Sequence, residues 1–252
     1  MQALAKLRIF FNTLGLAAGV AALALAGAGP AAAVGGEPGS DREARAIEPV
    51  LHVEAPDGYC LIDAPDAGRA GFSTGFEPGL KSGTVLLALY VPCPALEAAR
   101  AGTAEWLPEW VAIEKNTVTY PSDDARSLGT HGAVQQLCRD AQSAQWGHPK
   151  YEGVDFAEMV KAGSAKLSYE QPEIFLGVIG EEEHACYLSS LRIVFSPSGK
   201  PQRFLIVTAF MQAGDRWVTQ SFRRELGDVP GVAEAIFTAA KTHSKTFADR
   251  NR

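Results

Sequence analysis

The sequence predicts an α+β protein: a single domain whose antiparallel sheet is packed by helices, preceded by a signal peptide. Three observations predict it. Ile174–Gly180, Ala185–Phe195, Arg203–Gln212 and Arg216–Arg224 are strand-like segments separated by short turn signals. An apolar stripe follows them: Val232, Ile236, Ala239, Ala240, His243 and Phe247 recur at three- and four-residue steps, as on one face of a helix. Four cysteines, Cys60, Cys93, Cys138 and Cys186, form an even set behind an apolar N-terminus. Connections this short join neighbouring strands as antiparallel hairpins, so the C-terminal half reads as a four-strand meander closed by one helix.

Taken in order, the chain opens with Lys6 and Arg8, then an almost unbroken Leu/Ala/Gly/Val run from Leu14 to Ala28. Gly29-Pro30 breaks the run, and Ala31-Ala32-Ala33 supplies the small residues of a cleavage site. This is the layout of a Sec-type secretory signal peptide, residues 1–33, cleaved after Ala33. It predicts a periplasmic or extracellular protein with no stable membrane insertion after cleavage; high Ala, Gly and Arg usage suggests a bacterial source. The alternative is an uncleaved anchor, because the run approaches the roughly 20 residues that span a bilayer. Residues 34–49 are rich in Gly, Pro and charge and read as a flexible leader. Residues 50–247 read as one domain and 248–252 as a disordered tail.

Within the domain, Val50–Glu54 and Tyr59–Ile62 flank Ala55-Pro56-Asp57-Gly58, a Pro/Gly turn, and read as a hairpin. Ala64–Gly83 is loop-like, with room for one helical turn between Asp66 and Phe72. Thr84–Val91 is a continuous apolar run, so a buried strand. Ala95–Arg100 reads as a helix, and Thr103–Trp110 as another, with Trp106, Leu107 and Trp110 at helical spacing. Val111–Val118 reads as a strand and Pro121–Gly132 as a polar loop. Helices are expected around Val134, Leu137 and Cys138, and from Asp155 to about Lys166. In the meander, Arg203–Gln212 is apolar on both faces and so central, whereas Arg216–Arg224 looks more exposed and near an edge. Asp228 is the expected cap of the last helix and Pro230 suits its first turn.

Four cysteines in an exported chain favour two disulfides. Three connectivities exist; the element order favours Cys60–Cys93, joining two early strands, and Cys138–Cys186, tying the helical middle to the meander. Four free thiols are the alternative. No C-x-x-C pair suggests a thioredoxin-type site, and the spacing is not that of a zinc finger.

Composition narrows function by exclusion. Of 252 residues, 46% are hydrophobic and 21% charged, as in an ordinary globular protein. A net charge of -6 argues against a nucleic-acid partner held through phosphates and against a polybasic membrane binder. G-x-S-x-G, H-E-x-x-H, S-x-x-K and G-x-G-x-x-G are all missing from the sequence, so no catalytic residue, resident metal or cofactor is assigned. Ser198-Gly199-Lys200-Pro201 lacks the upstream Gly and the Ser/Thr of a phosphate loop and reads as a hairpin turn. The candidate interaction surface is the tryptophan set Trp106, Trp110 and Trp146. The candidate polar or metal site is Glu181, Glu182, Glu183 and His184, against the alternative of a solvated acidic turn.

A hairpin with its Pro56-Asp57-Gly58-Tyr59 turn, then a strand, helices, a long meander and a last amphipathic helix form a recognisable order. With Phe204-Leu205-Ile206-Val207, Trp217-Val218-Thr219 and the stripe from Val232 to Phe247, it resembles the PsbP/Mog1/DcrB-like α/β/α sandwich proteins across Val50–Phe247. The resemblance implies a non-enzymatic accessory role, and carries over no catalytic residue. The expected function is therefore an exported, non-catalytic accessory or binding protein for an envelope protein or small ligand. Two other readings are an exported hydrolase built from dispersed residues such as His131, His148 and His184, and an envelope structural protein held by an uncleaved N-terminus.

Overall fold

The computed structural model describes residues 51–62, 84–104, 106–116, 123–142, 155–196, 198–213, 216–227 and 231–251. All belong to one compact unit, Val50–Arg252. The expected signal peptide and leader, the loop at 64–83 and Trp146 with His148 lie outside the described residues.

Seven strands form one sheet: β1 (Tyr59–Leu61), β2 (Thr84–Pro92), β3 (Glu109–Asn116), β4 (Glu173–Glu181), β5 (Cys186–Phe195), β6 (Pro201–Ala213) and β7 (Arg216–Glu225). Their order is β1-β2-β3-β7-β6-β5-β4, and every pairing is antiparallel. Among the described residues four helices pack on it: α1 (Cys93–Arg100), α2 (Asp123–Gln142), α3 (Phe156–Ser164) and α4 (Val232–Arg250). The α+β class with an antiparallel sheet and a C-terminal meander is the one the sequence predicts.

Strand alternation assigns the helices to faces. Tyr187 and Leu191 of β5, Leu205, Val207, Ala209 and Met211 of β6, and Val218 and Phe222 of β7 share one buried cluster with Met159 and Val160 of α3 and Ile236, Ala240 and Phe247 of α4. Burying side chains of this size stabilises the fold by roughly 1.5–3 kcal/mol each. On the other face, Val91, Trp110 and Ala112 form a second cluster with Leu96 of α1, Leu107 and Ile62. Cys186 alternates with Tyr187, so its disulfide to Cys138 holds α2 on that second face as well. The result is a three-layer sandwich with α3 and α4 on one side and α1 and α2 on the other.

The turns behave as their residues dictate. Tyr59 N–H donates to the Pro56 carbonyl at 3.0 Å across a turn whose Gly58 has φ of +80°. The β5–β6 hairpin closes with Ser196 N–H on the Lys200 carbonyl at 2.9 Å, Gly199 taking φ of +77°. Asp155 caps α3, accepting from Ala157 N–H at 2.7 Å.

Five expectations are corrected. Residues 51–54 do not pair with β1; they run past the end of α4, where the Asn251 side chain accepts from His52 N–H at 2.8 Å and donates to the His52 carbonyl at 3.0 Å. An amide side chain thus satisfies the backbone in place of a strand. Residues 106–108 are not helical, and Trp110 already belongs to β3. Residues 123–132, read as loop, are the first half of α2. The strand β7, expected near an edge, lies between β3 and β6, with Val218, Gln220 and Phe222 at 2% exposed or less. Residues 248–250, read as a disordered tail, continue α4, which ends where Asn251 donates to the Phe247 carbonyl at 2.8 Å. At its other end α4 begins at Val232 behind Gly231; Asp228 and Pro230 lie outside the described residues.

Candidate functional site

The four cysteines pair as the element order favours, Cys60 with Cys93 and Cys138 with Cys186, and none is free. The first bridge ties β1 to the start of α1. The second ties α2 to the start of β5.

The acidic turn between β4 and β5 places its four side chains differently. Glu181 and Glu183 are exposed, and the Glu183 carbonyl meets His131 Nδ1 of α2 at 3.2 Å. Glu182 and His184 fold back toward α4. His184 Nε2 lies 3.3 Å from both Tyr187 Oη and Ser244 Oγ, and 3.7 Å from Glu182 Oε2. Tyr187 Oη and Ser244 Oγ are 2.8 Å apart, and Lys241 Nζ holds Glu182 Oε1 at 2.6 Å. The turn signal and the helix stripe are each legible in the sequence; their meeting, 60 residues apart, is not.

A Ser, a His and a Glu within reach of one another invite a hydrolase reading, and the hydrogen bonds speak against it. Ser244 is 0% exposed, inside α4, and its hydroxyl donates to the Lys241 carbonyl of its own helix at 3.1 Å. With its proton on the Lys241 carbonyl, Ser244 Oγ can only accept from Tyr187 Oη and His184 Nε2, whereas a nucleophile's base must accept the serine proton. Burial, with a lesser push from Glu182 and against the Ser244 hydrogen bond, holds the Tyr187 hydroxyl far above its usual pKa, so it stays a neutral donor. The cluster clamps the hairpin to α4. Of the other histidines, His131 stands apart at the Glu183 carbonyl, and His243 is buried with Nε2 donating to the Glu54 carbonyl at 2.9 Å and Nδ1 3.1 Å from Gln220 Oε1. Among the described residues no group of three or more His, Cys, Asp or Glu is placed to hold a metal ion.

The tryptophans meet on the second face of the sheet. Trp110 is 6% exposed and Trp106 partly buried. Both surround Arg223 of β7, whose guanidinium lies 3.6 Å from the Phe204 ring centroid, 5.4 Å from that of Trp110 and 5.8 Å from that of Trp106. Burial, aided by the neighbouring Arg192 charge, pulls the Arg223 pKa down to about 9. The helical spacing of Trp106 and Trp110 is thus produced by a coil residue and a strand residue converging on one arginine. Arg223 is the residue that the sequence reading missed, and its place in an Arg-Arg pair on a strand gave no signal for it.

A scan against protein-family models and a search among curated proteins each return no match. A search among solved structures returns a mutant of protein Mog1, 15% identical, with 78% of this chain and 84% of that chain covered and a TM-score of 0.27. Mog1 is among the proteins named in the resemblance drawn from element order. At that TM-score the likeness carries no argument about role, and the fold rests on the strand order and layers described above.

Proposed function

We propose that this chain is an exported accessory or binding protein that acts without catalysis, its partner an envelope protein or a small ligand. Export is supported by the closure of all four cysteines into disulfides, a state that oxidising compartments favour, and by the secretory layout of residues 1–33. No helix among the described residues is long and apolar enough to cross a membrane. The observation that carries binding over catalysis is the state of Ser244: the serine hydroxyl that His184 approaches is buried on α4 and lies within hydrogen-bond reach of that helix's own Lys241 carbonyl.

The test has two arms on the mature protein. Crosslinking in envelope extract, with the captured partner then rebuilt from purified components, is expected to give a defined complex. Assay against generic esters and peptides is expected to give no turnover. Turnover that disappears in His184→Ala would establish instead the hydrolase reading, which the approach of His184 to Ser244, Tyr187 and Glu182 favours. Mass spectrometry of the exported protein decides the N-terminus: a mass lacking residues 1–33 supports the signal peptide, and an intact chain in the membrane fraction supports the anchor.

A further inference from the structure

The two disulfides sit in unlike surroundings. Cys138 and Cys186 are both 0% exposed, sealed between α2 and the sheet. Cys60 and Cys93 are both partly exposed at the sheet's edge. The strand carrying Cys60 has 3 residues and, among the described residues, pairs with β2 on one side only.

Cys93 is the first residue of α1, and that helix starts in an uncommon way. Its cap position is Pro92, no side chain caps it, and no acidic residue occupies its first turn. The partial positive charge at the start of α1 therefore meets no anion from its own first turn. A sulfur at that position gains stabilisation as a thiolate, which makes it the better leaving group of the pair.

We propose that Cys60–Cys93 is an exchangeable disulfide, a redox-responsive lock on β1 that a dithiol reductant opens while Cys138–Cys186 stays closed. A thiolate of the dithiol attacks Cys60 Sγ. A new S–S bond forms to Cys60, the Cys60–Cys93 bond breaks, and its electron pair leaves on Cys93 Sγ as a thiolate at the start of α1. The second sulfur of the dithiol, once deprotonated, attacks the mixed disulfide. Cys60 leaves as a thiolate and takes up a proton, and the reductant departs as its own disulfide. Two electrons pass from the dithiol to the cystine.

What remains after reduction is a strand held by hydrogen bonds and by the packing of Tyr59 and Cys60 against the two core clusters. Ile62 N–H donates to the Leu89 carbonyl at 2.8 Å, Cys93 N–H to the Gly58 carbonyl at 2.9 Å, and the Tyr59 hydroxyl to Glu109. Reduction thus loosens β1 and leaves the rest of the sheet in place.

The experiment treats native protein with graded dithiothreitol without denaturant, quenches with acid, alkylates and maps the labelled cysteines by mass. Cys60 and Cys93 are expected to be labelled at least ~10-fold faster than Cys138 and Cys186, because access limits the buried pair. Hydrogen exchange at Tyr59–Leu61 is expected to rise in the reduced form. In Cys60→Ser, alkylation of Cys93 should titrate below the ordinary thiol value of about 8.5. Adding Pro94→Glu to that variant, an acid at an exposed first-turn position, should raise the midpoint. Equal labelling of all four cysteines in wild-type protein, or a Cys93 midpoint at or above the ordinary value, would overturn the proposal.

Discussion

Cys186 and Cys60 each sit on a strand and each close a disulfide onto a helix, yet one is sealed under α2 and the other is partly exposed beside a three-residue edge strand. The contrast extends to the ends of the sheet that carry them. Across β4–β7 the strands run 9 to 13 residues, and the inward faces of β5, β6 and β7 are buried under α3 and α4. At the β1 end, residues 51–54 are held by the Asn251 amide, by Arg250 on Glu54 and by His243 on the Glu54 carbonyl. Leu61, in β1 itself, is 51% exposed. One end is held by long strands packed under two helices; at the other a short strand rests on a smaller apolar contact, through Tyr59 and Cys60, with a few polar contacts and one covalent bond added.

The largest expected effect separates the two disulfides. Replacing Cys138 and Cys186 together by Ala should cost near the top of the roughly 2–5 kcal/mol range for native disulfides, and replacing Cys60 and Cys93 near the bottom. Their sequence separations of 48 and 33 residues differ too little for loop entropy to account for such a gap, which in that account is a few tenths of a kcal/mol. The excess is the packing lost beneath α2. Urea unfolding of the two double variants measures it, and equal losses would erase the distinction.

A smaller effect is expected at the clamp on residues 51–54. Asn251→Ala removes three hydrogen bonds, to His52 N–H, the His52 carbonyl and the Phe247 carbonyl. The expected loss is about 1–2 kcal/mol, because these groups are reached by water in part. Hydrogen exchange should show faster exchange at His52 with β5–β7 unchanged; a global loss of protection would mean that the clamp supports the whole sheet.

The smallest effect at neutral pH comes from His243, joined to Gln220 and the Glu54 carbonyl and stacked edge-on against Phe222. Burial lowers its pKa, against the pull of the Glu54 carbonyl and the charges of Glu54 and Asp57. The unfolded chain then binds the proton more readily than the folded one. Stability is whole above the ordinary histidine value of about 6.5, falls as pH drops below it, and levels off beneath the lowered folded value. His243→Gln should remove that part of the slope in urea midpoints measured between pH 7 and pH 5; an unchanged slope would assign it to other groups.

The same division governs what the sequence reveals. The meander is legible because each strand end coincides with a local turn signal, Glu181–His184 or Ser196–Pro201, and each face with a two-residue period. The stripe of α4 follows from a similarly local pattern, whereas the disulfide pairing is one of three connectivities, favoured by element order and found in the structure. The β1 end depends on partners far along the chain: Val50–Glu54 looked like half of a hairpin, but its backbone meets Asn251, 199 residues on from His52. Trp106 and Trp110 mimic a helix face because both turn toward Arg223, a contact that no spacing rule encodes. Residues 123–132 lack an apolar stripe, so helical period gave no sign of the first half of α2. For the candidate site, the turn residues Glu182 and His184 stand out locally, whereas Ser244 and Lys241 enter only through packing of α4.

Native-state hydrogen exchange, read residue by residue on oxidised and dithiol-reduced protein, tests the unequal ends of the sheet most directly. The account predicts that amides of β5, β6 and β7 exchange only through global unfolding in both forms. Amides of Tyr59–Leu61 should exchange through a local opening of lower free energy, and that opening should become easier when Cys60–Cys93 is reduced. One common opening free energy for all seven strands, unmoved by reduction short of unfolding, would contradict it.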